Sequence, residues 1–350
     1  MPVSEIDVPA VAVLEKPRRL AAADSRLLIA LADPEAILDP PELSPLRAQL
    51  LLSQAERHGV LPAVFRKLRP GLASPDLLPV REHYSSRCRI AVAFTMQLKA
   101  LAKPLLAALS AAGEPALLIK GQDFAENIYP DPLLRPTSDI DLIVPIERLD
   151  EVEAVAALSG FALHPEQRED EQQERKWIYI RNPTVMLEIQ GNLVHAPGLR
   201  SKLSLGFTEL CPDGDPASAA RPSARLAIAG VHAASSHHFE LLRLVVDVLQ
   251  AARHLKGAVE EQALQDLVER SGIRLALVSA LDLADRLYGD AACRTIADAL
   301  APVRFRRSAR LLIDARVVMA METKERGLQS WRRSLFRELL KRGGEARRSS

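Results

Sequence analysis

The sequence predicts an α+β protein: a small mixed β-sheet core framed by N- and C-terminal helical regions. Three observations lead there. Apolar residues recur at helical spacing toward both ends, while between about residues 114 and 210 short alternating runs and turn residues replace that pattern. The composition is rich in Ala and Leu with only 4% aromatics, which favours helices over a sandwich or barrel. At 350 residues, 48% hydrophobic and with a mean hydropathy of -0.01, the chain suits two or three packed units with a sizeable core and does not suit a disordered polymer.

Taken in order, residues 1–24 are punctuated by proline and read as a flexible N-terminus. Residues 25–113 read as a helical region: Leu27, Leu28 and Leu31 form one stripe and Leu46, Leu50 and Leu51 begin another, with prolines cutting the segment into short helices. From Tyr84 to Ala112 a single long helix is expected, with Pro104 as a kink point and Gly113 as its stop. The α/β block, 114–210, follows. Ala116–Ile119 reads as a buried strand, Gly121–Tyr129 as helical, and Ile140, Leu142 and Val144 alternate with Asp139, Asp141 and Ile143 as a strand. An amphipathic helix over 146–159 ends at Gly160; 161–164 reads as a third strand and 165–176 as a charged loop. Two further strands are joined by Arg181, Asn182 and Pro183. Residues 211–224 read as a linker, 225–340 as the second helical region and 341–350 as a disordered basic tail.

Forty-six basic against forty-five acidic side chains give a net charge of +1, so the whole molecule has no field drawing it to nucleic acid. Only residues 301–350, with fourteen Lys or Arg against five acids, offer a local basic excess. Cys88, Cys211 and Cys293 have neither disulfide-framework nor zinc-ligand spacing. The N-terminus lacks the basic start and apolar run of a signal peptide, and no uninterrupted stretch of about 18 apolar residues follows, so a cytoplasmic protein without a membrane partner is expected.

The chemistry gathers in the α/β block. Asp139 and Asp141 lie two apart on one strand, so their side chains share a face and can reach one divalent cation. Glu188 lies on a later strand whose Val185, Leu187 and Ile189 take the core side, leaving Met186, Glu188 and Gln190 on the other; an adjacent position would bring it to the pair. Lys120 and Gly121 sit where a strand passes into a helix, which turns backbone N–H groups toward an anion such as phosphate. Three acids beside a phosphate cradle suit metal-assisted phosphoryl transfer. His232, His237, His238 and Asp247 lie close in sequence but lack metal-ligand spacing, and His195 reads as a loop residue.

The run from Leu117 to Val144, with Lys120-Gly121, Tyr129-Pro130, Arg135-Pro136 and Asp139-Ile140-Asp141-Leu142, resembles the bacterial "uncharacterised nucleotidyltransferase" group of the DNA polymerase β-type superfamily. Leu187–Leu193 resembles its third-carboxylate strand and His232–Gln250 its C-terminal helical motif; together the matches span about 85–255. The resemblance implies that Asp139, Asp141 and Glu188 hold Mg²⁺ (or Mn²⁺), that Glu188 deprotonates an acceptor hydroxyl, and that Lys120, Gly121, Arg135 and Ser138 serve the phosphates of an NTP, most simply ATP. It implies transfer of a nucleoside monophosphate to a small-molecule, peptide, protein or RNA acceptor, with pyrophosphate released. Two departures stand out: Gln122 replaces the superfamily's usual serine, and Gln190-Gly191 replaces the His-Trp that often follows the third acid. These departures leave a nucleotide-binding regulatory module as an alternative, and the basic C-terminus leaves a tRNA-modifying, toxin-like transferase as another. Removal of Asp139 or Asp141 is expected to abolish turnover and to leave folding intact.

Overall fold

The computed structural model describes residues 20–39, 41–167, 174–320 and 323–343. Most of the N-terminus 1–24, the middle of the charged loop and most of the tail 341–350 lie outside them.

Four helices come first: α1 (Ala22–Ala32), α2 (Pro45–Arg57), α3 (Leu61–Leu68) and α4 (Leu78–Ala111). Ser44 caps α2, accepting the Arg47 N–H, and Pro45 occupies a first-turn position where its missing N–H costs nothing. Helix α4 runs unbroken through Pro104 and stops where Gly113 takes a φ of +76. It buries Val80 and Tyr84 at one end and Leu98, Ala102, Leu105 and Leu109 at the other, leaving Ile90 and Met96 exposed between. The stretch Pro75–Ala111 contains an 18-residue window with a mean hydropathy of 1.3, long and apolar enough to cross a membrane by length and composition, and only 17% of that window is buried. Charged residues interrupt it, which is why a search for an unbroken apolar run passes over it. Its two ends are anchored in two different apolar clusters of the fold.

The central block holds β1 (Leu117–Leu118), α5 (Gly121–Asn127), β2 (Asp139–Ile143), α6 (Leu149–Leu158), β3 (Phe161–Leu163), β4 (Glu174–Tyr179) and β5 (Asn182–Gln190), followed by short helices α7 (Pro197–Arg200) and α8 (Phe207–Leu210). The sheet order is β1-β2-β5-β4-β3; β2 and β5 are parallel and the other pairs antiparallel, so the sheet is mixed as expected. Strand β4 begins at Glu174, inside the segment expected to be a charged loop. Its polar residues alternate across an antiparallel ladder with β5, and hydrogen bonding across that ladder outweighs composition. One sheet face is apolar: Ile140, Leu142, Val185, Leu187 and Ile189 pack against the end of α4 and against Val152 and Ala156 of α6.

The chain closes with α9 (Pro222–Val231), a π-helical turn (His232–Ser236), α10 (Leu242–His254), α11 (Ala258–Ser271), α12 (Arg274–Tyr288), α13 (Ala291–Leu300), α14 (Val303–Leu312), α15 (Ala315–Met319) and α16 (Thr323–Gly343). These helices share one continuous apolar cluster with α1–α3, in which Leu28, Leu31, Leu52 and Leu68 join Val245, Leu249, Leu277 and Leu281. Ion pairs cross the same boundary: Arg253 Nη1 and Nη2 reach the Asp33 carboxylate, at 2.8 and 2.9 Å. The helical regions that precede and follow the sheet block in sequence therefore meet in space, and the second face of the sheet looks toward them.

Candidate active site

Parallel pairing of β2 with β5 places Asp141 directly opposite Glu188, and Asp139 opposite Met186. Because side chains alternate along a strand, Asp139, Asp141, Glu188 and Gln190 all stand on the face away from α4 and α6. The three expected carboxylates are thus brought together by register.

Lys120 joins them. Its backbone has φ 53 and ψ -131, a strained conformation for a residue with a side chain, at the point where β1 turns into α5. The turn carries its ammonium to 2.7 Å from Asp141 Oδ1, with the two side chains only 7% and 4% exposed. Burial alone would lower the Lys120 pKa, but Asp141, Glu188 and Asp139 together outweigh it and raise the pKa, so the ammonium stays charged. Burial followed by carboxylate repulsion pushes Asp139 up, and the same causes push Glu188 up to about 8. Ser138, next to Asp139 in the chain and exposed, works against the rise at Asp139. Gly121 is required sterically, since a Cβ there would lie 2.7 Å from Thr137 Cγ2.

Arg135, expected beside phosphate, is committed elsewhere. Its Nε and Nη2 each bond the Asp247 carboxylate of α10 at 2.9 Å, and Nη1 donates to the Gly121 carbonyl at 3.0 Å. Tyr129 donates its hydroxyl to Asp247 as well, at 2.8 Å. The buried Arg135–Asp247 pair locks α10 to the Lys120–Gly121 turn, so in this arrangement Arg135 acts as a scaffold for the site.

Gln190 is fully buried, and its amide nitrogen donates to Asp141 Oδ1 at 3.1 Å and to Glu188 Oε2 at 3.4 Å. Its oxygen faces His195 Nε2 at 3.2 Å, and His195 Nδ1 lies 2.8 Å from Glu174 of β4. The loop carrying His195 is shaped by Asn192, whose side-chain oxygen accepts the Val194 and Leu205 N–H groups, and Ser236 of the π turn donates to the Leu193 carbonyl. Of these, only the same-side parity of Gln190 with Glu188 was visible in sequence; His195 and Glu174 arrive by folding alone. His232, from the π turn, packs edge-on against His237 with ring centroids 4.7 Å apart. Burial and then Lys120 hold its pKa well down, so it is neutral.

The donor set, three carboxylates crowded on one face, is the hard-oxygen chemistry that Mg²⁺ or Mn²⁺ takes. It is not gathered into a finished site: among the described residues no three His, Cys, Asp or Glu side chains are grouped closely enough to hold a metal ion. Lys120 and Gln190 occupy the Asp141 oxygen that such an ion would use.

A small mixed sheet with helices on either side, carrying acids on adjacent parallel strands beside a strand-to-helix turn, is the architecture of a nucleotidyltransferase. The chain belongs to a family described as uncharacterised nucleotidyltransferase, whose model matches residues 44–298, more than half its length. No curated protein and no solved structure matches it. Family membership points to nucleotidyl transfer.

Proposed function

We propose that the protein transfers a nucleoside monophosphate from an NTP, ATP being the expected donor, to an acceptor hydroxyl with the help of Mg²⁺ or Mn²⁺. The observation that carries this reading is the register of β2 against β5, which lines Asp139, Asp141 and Glu188 along one polar face. The acceptor oxygen bonds to the α-phosphorus, the bond to the bridging oxygen breaks, and pyrophosphate leaves with that electron pair. The acceptor proton passes to Glu188. Divalent cations held by Asp139, Asp141 and Glu188 would neutralise charge on the transferring phosphoryl group. Lys120, released from Asp141 as a cation takes its place, would turn to the phosphates, and Gly121 keeps the backbone close to them. Gln190 holds Asp141 and Glu188 in register, and His195 and Glu174 hold Gln190.

The test is incubation of the full chain with each labelled NTP, Mg²⁺ or Mn²⁺, and a cell extract fractionated into RNA, protein and small molecules. Label should enter one fraction with stoichiometric pyrophosphate release, and Asp139→Asn should reduce it at least 1000-fold. Equal labelling by wild type and Asp139→Asn would rule the mechanism out. A second reading, a nucleotide-binding module without turnover, is favoured by one observation, the Lys120 ammonium seated on Asp141. Calorimetry showing ATP binding without pyrophosphate release would select it.

A further inference from the structure

Arg243 is the second residue of α10 and is held at both ends of its stem. Its backbone N–H donates to the His58 carbonyl at 3.2 Å. The stem lies against Gly59, where a Cβ would come 3.2 Å from Arg243 Cδ and 3.4 Å from Nε, and Gly59 also takes a φ of +71. The natural partner of such an arginine is an acid one turn along the helix, and Asp247 stands at that position. Asp247 is already engaged, however, by two bonds from Arg135 and one from Tyr129. Two guanidinium groups face one carboxylate, and Arg135 has it. Arg243 Nε is buried without a hydrogen-bond partner, and the side chain makes no ion pair with a described residue.

Arg243 stands one turn before Asp247 on α10, and through Arg135 that aspartate is tied to the Gly121 carbonyl, so this face of α10 is turned toward the Lys120–Gly121 turn. Burial and then Arg135 lower the Arg243 pKa, while Asp247 and Asp139 pull it up; its charge in turn bears on Asp139 and on neutral His232. The side chain is half-buried and its Nε fully so, and a partly desolvated cation without a counter-ion carries a cost that a bound anion removes. Lys120 and Arg243 both act to lower the Asp139 pKa, against the burial and Asp141 repulsion that raise it.

We propose that Arg243 is a polyphosphate-binding residue that takes terminal phosphate oxygens of the donor nucleotide. The inference rests on the nucleotidyltransferase reading and adds to it a contact from the C-terminal helical region. A multiply charged anion is favoured over an acceptor group because Asp139, which shares this corner, belongs to the carboxylates placed against the donor's phosphates.

Calorimetric titration of the full chain with inorganic pyrophosphate, ATP and AMP, each with Mg²⁺, tests this. Arg243→Gln should weaken pyrophosphate and ATP binding at least tenfold and leave AMP within twofold of wild type, with Arg243→Lys intermediate. Without ligand, Arg243→Gln should melt at the same temperature as wild type or higher, because an unpaired, half-buried cation has been removed. Unchanged pyrophosphate affinity in Arg243→Gln overturns the inference, as does a parallel loss for all three ligands with a fall in melting temperature of about 5 °C or more, the mark of a structural role. If wild type binds neither ATP nor pyrophosphate with Mg²⁺ or Mn²⁺, the nucleotidyltransferase reading fails as well.

Discussion

Asp139 and Asp141 are two residues apart and share a face, yet their removal has different consequences. Asp139 has its pKa raised by burial and by Asp141, so its loss relieves repulsion and leaves the fold intact, as the sequence leads one to expect. Asp141 is the ion-pair partner of Lys120, and Asp141→Asn strands a buried ammonium. Breaking a buried pair by removing one member costs about 3–5 kcal/mol. Urea unfolding should therefore show Asp141→Asn destabilised by that order and Asp139→Asn nearly neutral, with Lys120→Met restoring much of the loss in the Asp141→Asn background. Additivity of the Lys120 and Asp141 substitutions would show that the pair does not hold. The acids were legible in sequence through parity and order; Lys120's seat on Asp141 was not, because it depends on a backbone conformation that no local pattern encodes.

At the scale of elements, α9 crosses α12 closely at Gly230, where a Cβ would meet Leu277 Cδ1 at 2.6 Å and its Cα at 3.3 Å. Gly230→Ala forces the helices apart and should destabilise by about 1–3 kcal/mol, as overpacking does, despite alanine's better helix propensity. A stabilised variant in a thermal melt would contradict the crossing. Long helices and the alternating strands β2 and β5 were readable because periodicity is a local signal. Strand β4 was misread at its start, since its Glu, Arg and Lys residues belong to a strand only once β5 lies beside them. The neighbourhood of His195 was equally silent: its partners Gln190 and Glu174 come from two different strands.

For the whole molecule, His58 joins the first helical region to α10. It is fully buried, and its Nδ1 accepts the Leu242 N–H at 3.3 Å. Burial, aided by Arg57, lowers its pKa to about 4. The unfolded chain takes up that proton near pH 6.5 and the folded one does not, so stability is full above 6.5, falls as pH drops toward 4, and changes no further below it. His238, lowered to about 4 by burial and then Arg337, acts in the same direction. A shift of this size corresponds to at most about 3 kcal/mol per histidine. Glu188 and Asp139, whose pKa values are raised, act in the opposite direction, so the His58 contribution is read as a difference: between pH 7 and 4.5 wild type should lose more unfolding free energy than His58→Asn, which keeps an acceptor oxygen. An equally steep curve in the variant would exclude His58 as a cause.

The apolar cluster shared by α1–α3 and the helices from α9 onward has a consequence during synthesis. Leu28, Leu52 and Leu68 leave the ribosome long before Val245 and Leu249, with the entire sheet block between them. At about 5–20 residues per second that interval is on the order of ten seconds, and closing so long a loop is slow in itself. The first helices must therefore wait as an unsatisfied greasy surface on the nascent chain, open to chaperones and to neighbouring chains on the same message, until α10 emerges to cover them.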